Sequence, residues 1–208
     1  VKVEVGEPFA DTPDEGVLTV NAEFVPLAYE LFEPGPPDEN SIELARVVDR
    51  GIRESKAIDL KELCIIPGRK AYVLFVDIYI INHSGNLIDA AGIAALTALM
   101  DVKLPECEVS GGEVVVKDSR RPLQIKDTPI PVTVAKIGDK IIVDPNLDEE
   151  SVMDARLTIT TTQDGRICAI QKGGMSAFSV DEIRRAVEIA LEKAKAIREE
   201  VLSAVRRG

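Results

Sequence analysis

The sequence predicts an α+β fold with hints of two related strand-and-helix halves, and three observations predict it. Strand-patterned segments lead into a helix, then a strand and a second helix, and after residue 128 further strands lead into a last helix. The second helical segment, residues 87–100, is rich in Ala and apolar nearly all round, as expected of a buried, closely packed helix. Two Gly/Asp pairs, Gly138-Asp139 and Asp164-Gly165, sit between alternating segments and mark hairpins.

Taken in order, Val1–Val5 and Val17–Val25 alternate apolar and polar residues and are expected to be half-exposed strands. Glu33–Pro37 (EPGPP) is a stiff connector. A helix is expected from about Asn40 to Lys56, with Ser41, Leu44, Ala45, Val48, Gly51 and Ile52 on its buried face. Ala71–Asn82 is apolar on both faces, which predicts a central strand with Tyr72, Phe75 and Tyr79 in the core. His83-Ser84-Gly85-Asn86 turns it into the helix Leu87–Met100, opened by Asp89. Residues 103–128 are polar and read as a loop or edge excursion. Strands are expected at Val132–Ile137, Lys140–Val143, Arg156–Thr162 and Ile167–Lys172, and Gly173-Gly174 reads as a turn. Ser179 with Glu182 forms a capping box for the last helix, roughly 40 Å long, whose stripe runs through Ile183, Val187, Ala190, Leu191, Ala194, Ile197, Val201 and Val205.

Composition narrows the function classes. The chain has 208 residues, 45% of them hydrophobic and 29% charged, which suits an ordered globular protein. Twenty-five Lys and Arg against 36 Asp and Glu give a net charge of −11. That total argues against a strongly basic nucleic-acid binder but leaves room for a local basic stripe. The longest apolar run, Ala71–Ile81, is about half a membrane span and carries Asp77. No leader pattern opens the chain. Cys64, Cys107 and Cys168 are scattered, which points to a reducing, cytoplasmic setting and away from a disulfide framework or zinc site. His83 is the only histidine, so a Ser-His-Asp triad has one place to form. The chain starts with Val inside a strand, so a preceding segment is expected.

The helix 40–56 carries the most informative constellation. At 100° per residue, Arg46, Arg50 and Arg53 fall within about 60° of one another, opposite the apolar face. Adjacent like charges cost a few tenths of a kcal/mol per pair. Two readings stand. Glu43, Asp49 and Glu54 make this a solvated, ion-paired face, or the three guanidiniums form a stripe for a polyanion. The acids Asp144, Asp148, Glu149, Glu150 and Asp154 fit a solvated turn, a cation site or acid-base chemistry. Asp77 fits a hydrogen-bonded buried carboxylate or a catalytic acid. With no Trp and eight Phe and Tyr, base stacking is not supported, so phosphate contact is the nucleic-acid mode left open.

The string EPGPPDENSIELARVVDRGIRES (33–55) resembles the non-catalytic RNase PH-like subunit of the archaeal exosome ring. VDIYIINHSGNLIDAAGIAALTAL (76–99), IIVDPNLDEESVMDARLTIT (141–160) and IQKGGMS (170–176) carry the same resemblance, which spans nearly all of the chain. It implies the RNase PH fold over 1–208, with a first half of about 1–103, a connecting excursion of about 104–128 and a second half of about 129–208. It also implies that an N-terminal part of the family domain is missing. The implied partners are a catalytic RNase PH-like subunit, paired with this one in a hexameric ring of three heterodimers, RNA-binding cap subunits, and single-stranded RNA. That ring degrades RNA from the 3′ end, using inorganic phosphate at the catalytic partner; no cofactor is implied for this chain.

The resemblance also marks departures. Catalytic members carry an adjacent Arg pair where this chain has Glu39 and Asn40. They carry a Gly-Ser/Thr-Arg phosphate loop where it has Asn86-Leu87-Ile88, and two acids where it has Glu150 and Arg156. These replacements imply a catalytically silent subunit. Arg46 and Arg50, with Arg53 the weaker candidate, take the implied role of holding RNA, independent of its sequence. The alternatives are an active phosphorolytic exoribonuclease in its own right and an acidic ring scaffold with no RNA contact.

Overall fold

The computed structural model describes residues 1–205, so the last three positions of the expected second half, 206–208, lie outside the described residues. Strand β4 (Lys70–Ile80) is the spine of the first sheet. β1 (Lys2–Gly6) pairs with it antiparallel and β2 (Val17–Phe24) parallel, while the short β3 (Cys64–Ile66) pairs with its start. A parallel neighbour requires a crossover connection. The connection from β2 to β4 includes helix α1 (Glu39–Glu54) and a 3₁₀ turn at Leu60–Leu63. Asp38 caps α1, its carboxylate accepting from the Ser41 N–H at 2.8 Å.

Helix α2 (Leu87–Met100) leads into a two-stranded ribbon, β5 (Lys103–Ser110) and β6 (Glu113–Pro122). The second sheet is antiparallel, in the order β10-β9-β7-β8. Its strands are β7 (Ile130–Ile137), β8 (Lys140–Val143), β9 (Ala155–Thr161) and β10 (Ile167–Gly174). A short helix α3 (Leu147–Val152) joins β8 to β9, and α4 (Val180–Val205) packs on β7 and β9.

Helices α1 and α2 tie the two sheets together: α1 packs on β2 and β10, and α2 reaches β4, β7 and α4. α2 serves both hydrophobic cores. Its Leu99 belongs to the cluster with Leu44, Val48 and Leu74, and its Leu96 to the cluster with Val132, Ile159 and Ala190. Each such fully buried aliphatic side chain contributes about 1.5–3 kcal/mol, so one helix couples the stability of the two sheets.

Several expectations need correction. Residues 103–122 are not a loop but the β5–β6 ribbon, turned at Gly111-Gly112. Both of its faces are largely exposed, so the period-2 pattern of a half-buried strand is absent. Tyr79 is 59% exposed and Asp77 is also exposed, because beyond Val76 only one face of β4 is covered. α2 is not buried all round, since Ala90, Ala94 and Ala98 face outward. Gly173 and Gly174 belong to β10 rather than to a turn. The buried line of α4 runs through Ala186, Ala190, Ala194, Arg198 and Val201, with Ile183 and Leu191 at its exposed margin. Small side chains let this helix lie close to the sheet.

Candidate RNA-facing helix and the acid-lined pocket

The α1 face opposite the core carries Arg46, Arg50 and Arg53, all exposed, while Ser41, Leu44, Ala45, Val47, Val48, Gly51 and Ile52 are buried. The three arginines differ in what holds them. Arg53 donates to both oxygens of Asp49 (2.7 and 3.1 Å) and to the Leu18 carbonyl (3.1 Å), so its guanidinium is engaged within the chain. Arg50 donates from Nη1 to Gln171 Oε1 at 3.3 Å, a contact with a neutral amide. Arg46 lines an open groove of ≈ 490 Å³ with Glu39, Ile42, Glu43, Val47, Arg50 and Gln171. Among the described residues Arg46 forms no ion pair within 4 Å. Neither arginine of this groove is ion-paired among the described residues, so both keep charge to offer an anion.

A second pocket of ≈ 230 Å³ lies at the N-terminus of α2, lined by Asn40, Glu43, Asn86, Glu150 and Arg156 among others. Gly85, at φ +107°, makes its geometry possible. A Cβ there would stand 2.4 Å from the Pro145 carbonyl oxygen, and the close approach brings the start of α2 against the start of α3. Glu150 Oε1 accepts from the Asn86 N–H at 2.9 Å. Asn86 Nδ2 donates to Asp144 (2.7 Å) and Asp89 (2.9 Å). Asp89 also accepts from the Thr133 N–H and hydroxyl, both at 2.8 Å, while burial pushes its carboxyl above the usual carboxylate range. Arg156 donates to Glu43 at 2.5 Å.

The end of a helix that favours anions is therefore already furnished with carboxylates from its own chain. The pocket's one arginine is paired. A second anion within ~4 Å of such a carboxylate meets about 4 kcal/mol of repulsion per charge pair at an effective dielectric near 20.

The other expected acids are dispersed. Glu149 caps α3 through Asn146, and Asp154 accepts from the Gly138 N–H at 2.7 Å. No group of three or more His, Cys, Asp or Glu suited to a metal ion occurs among the described residues. Asp77 accepts from Asn21 at the surface. His83 stacks on Phe32 (5.5 Å) and meets Tyr29 edge-on (5.3 Å), and its Nδ1 accepts from the Gly85 N–H, which is a packing role. Sequence reasoning missed Gln171 and the Glu43–Arg156 contact, whose partners are 113 residues apart. It also missed the Asn146–Glu149 capping box, which is readable as N-x-x-E.

Comparison with known proteins gives the family and the fold. Residues 1–105 match domain 1 of the 3′ exoribonuclease family, and residues 127–193 match its domain 2. The chain is 57% identical over 209 residues to an exosome complex component Rrp42 of Thermococcus kodakarensis, spanning all of this chain and 77% of that protein. It is 52% identical over 202 residues to the Rrp42 of Methanopyrus kandleri, spanning 97% of this chain and 76% of that one. Among solved structures it superposes on a chain of the Archaeoglobus fulgidus exosome with RNA bound to the active site, at a TM-score of 0.88 and 47% identity. That superposition covers 96% of this chain and 76% of the other. An archaeal exosome core gives 0.83 at 42%, covering 96% and 74%.

Proposed function

This chain belongs to the 3′ exoribonuclease family with the RNase PH fold, and on that premise we propose that it is a non-catalytic, RNA-positioning subunit of an exosome-type ring. The observation that carries the reading is the different state of the arginines in its two pockets. Arg156 at the start of α2 is paired with Glu43, while Arg46 and Arg50 in the α1 groove form no ion pair among the described residues. Carboxylates crowd the start of α2, where phosphorolysis would need a seat for phosphate, while Arg46 and Arg50 are unpaired by any carboxylate on α1. A phosphorolytic centre also needs an acid beside that seat. Glu150 is held on Asn86, and the position expected to supply the second acid is Arg156.

The proposed partners are a catalytic RNase PH-like subunit, which would use the inorganic phosphate, RNA-binding cap subunits, and single-stranded RNA. The proposed assembly is a hexamer of three heterodimers in the cytoplasm, with no cofactor held by this chain. The three cysteines are free thiols, and no described helix is long and apolar enough to cross a membrane. RNA would be held through phosphates, independent of base sequence. Arg53 is left out of the RNA contact because Asp49 and the Leu18 carbonyl already occupy it. Two phosphate contacts correspond to a modest dependence of log Kd on log salt, with a slope magnitude near 1.4 at about 0.7 per contact.

The test is oligo(A) binding by the reconstituted pair of this subunit and its catalytic partner. Arg46→Glu with Arg50→Glu is expected to weaken binding at least tenfold, on the order of 1.4 kcal/mol, and to flatten the salt dependence. Unchanged binding would remove the RNA role of the stripe.

A further inference from the structure

Glu43 lies one turn before Arg46 on α1, at the i,i+3 spacing where opposite charges pair. It is turned instead toward the second sheet. Its Oε2 accepts from Arg156 Nη2 on β9 at 2.5 Å, and its Oε1 accepts from Gln171 Nε2 on β10 at 3.3 Å. Gln171 carries the contact onward, its Oε1 accepting from Arg50 Nη1 at 3.3 Å. The Arg156 side chain packs against β10 at Gly173, where a Cβ would stand 2.7 Å from Arg156 Nε. That Nε is buried without a hydrogen-bond partner, so packing over Gly173 and the Glu43 carboxylate hold the guanidinium.

We propose that Arg156 and Gln171 are positioning residues for RNA. Arg156 draws the negative charge of Glu43 off the stripe and so leaves Arg46 free for a phosphate. Gln171 aims Arg50 through a neutral amide, which fixes the side chain without spending its charge. A carboxylate at 171 would pair with Arg50 and compete with RNA. The inference rests on the reading that Arg46 and Arg50 meet RNA phosphates.

The test measures Kd for labelled oligo(A) against salt, with the full-length subunit assembled with its catalytic partner. Arg156→Met is expected to weaken binding roughly two- to fivefold and to lower the salt slope by up to about 0.7, the loss of one phosphate contact. Adding Glu43→Gln to Arg156→Met is expected to restore both values, because the released side chain at 43 then carries no charge to claim Arg46. General structural damage would not be reversed in this way. Gln171→Glu is expected to weaken binding to a similar degree, and its half-buried position makes it the deciding variant if Arg156→Met fails to fold. Wild-type binding by both variants, or no rescue by Glu43→Gln, overturns the inference provided that Arg46→Glu with Arg50→Glu still weakens binding. If that double substitution has no effect, the RNA reading itself fails and the positioning role goes with it.

Discussion

Asn86 shows how a single residue can decide what a pocket holds. It sits at φ +45°, in the left-handed region that Asn tolerates better than most residues, and so presents its own N–H to Glu150 and its amide to Asp144 and Asp89. Glu150→Ala is expected to cost about 1 kcal/mol of stability in urea unfolding, the worth of one charged capping hydrogen bond. On the proposed silent role it should not create phosphate-dependent activity. This arrangement was only partly legible in the sequence. The departure from the family's loop pattern at Asn86-Leu87-Ile88 could be read from the resemblance, but not that Glu150, 64 residues away, accepts from the Asn86 N–H. Arg198 makes the same point more sharply. It is 7% exposed and donates to the Thr128 and Thr161 carbonyls, although a charged side chain in a helix reads as solvent-facing.

At the scale of elements, legibility followed how much of a segment is covered. All six residues read as the buried face of α1 are buried, because the helix meets both β2 and β10 and its apolar period is long. The β5–β6 ribbon escaped because neither face packs on a core, and α3 because six residues inside an acidic run are too short for a period. The capping box of α4 was readable and gives a pH prediction. Lys136, at 2.7 Å, and the Ser179 N–H hold the Glu182 carboxyl down at about 2, against an ordinary value of 4.5. A depressed carboxyl pKa stabilises the fold above the unfolded value, and that contribution is lost as pH falls through the folded one. Glu182→Gln is therefore expected to lower the melting temperature at pH 6 and to converge on the wild type as pH falls from about 4.5 to about 2, in thermal melts across that range.

For the whole molecule, the net charge of −11 and the arginine stripe are compatible once their places are known. Residues 1–40 hold ten acids and one lysine, and Glu43 and Glu150 line the α2 pocket. Arg46 and Arg50 stand on one helix that packs against both sheets. The proposed function asks such a body only for weak, sequence-independent guidance of RNA, with the chemistry left to a neighbouring subunit. The most direct test is the rate of ADP release from poly(A) and inorganic phosphate by this subunit alone, its catalytic partner alone, and the reconstituted pair. The account predicts no ADP from this subunit alone, and full activity from the pair that falls at least tenfold when Arg46→Glu and Arg50→Glu are introduced here. Phosphate-dependent ADP release by this subunit alone would contradict it.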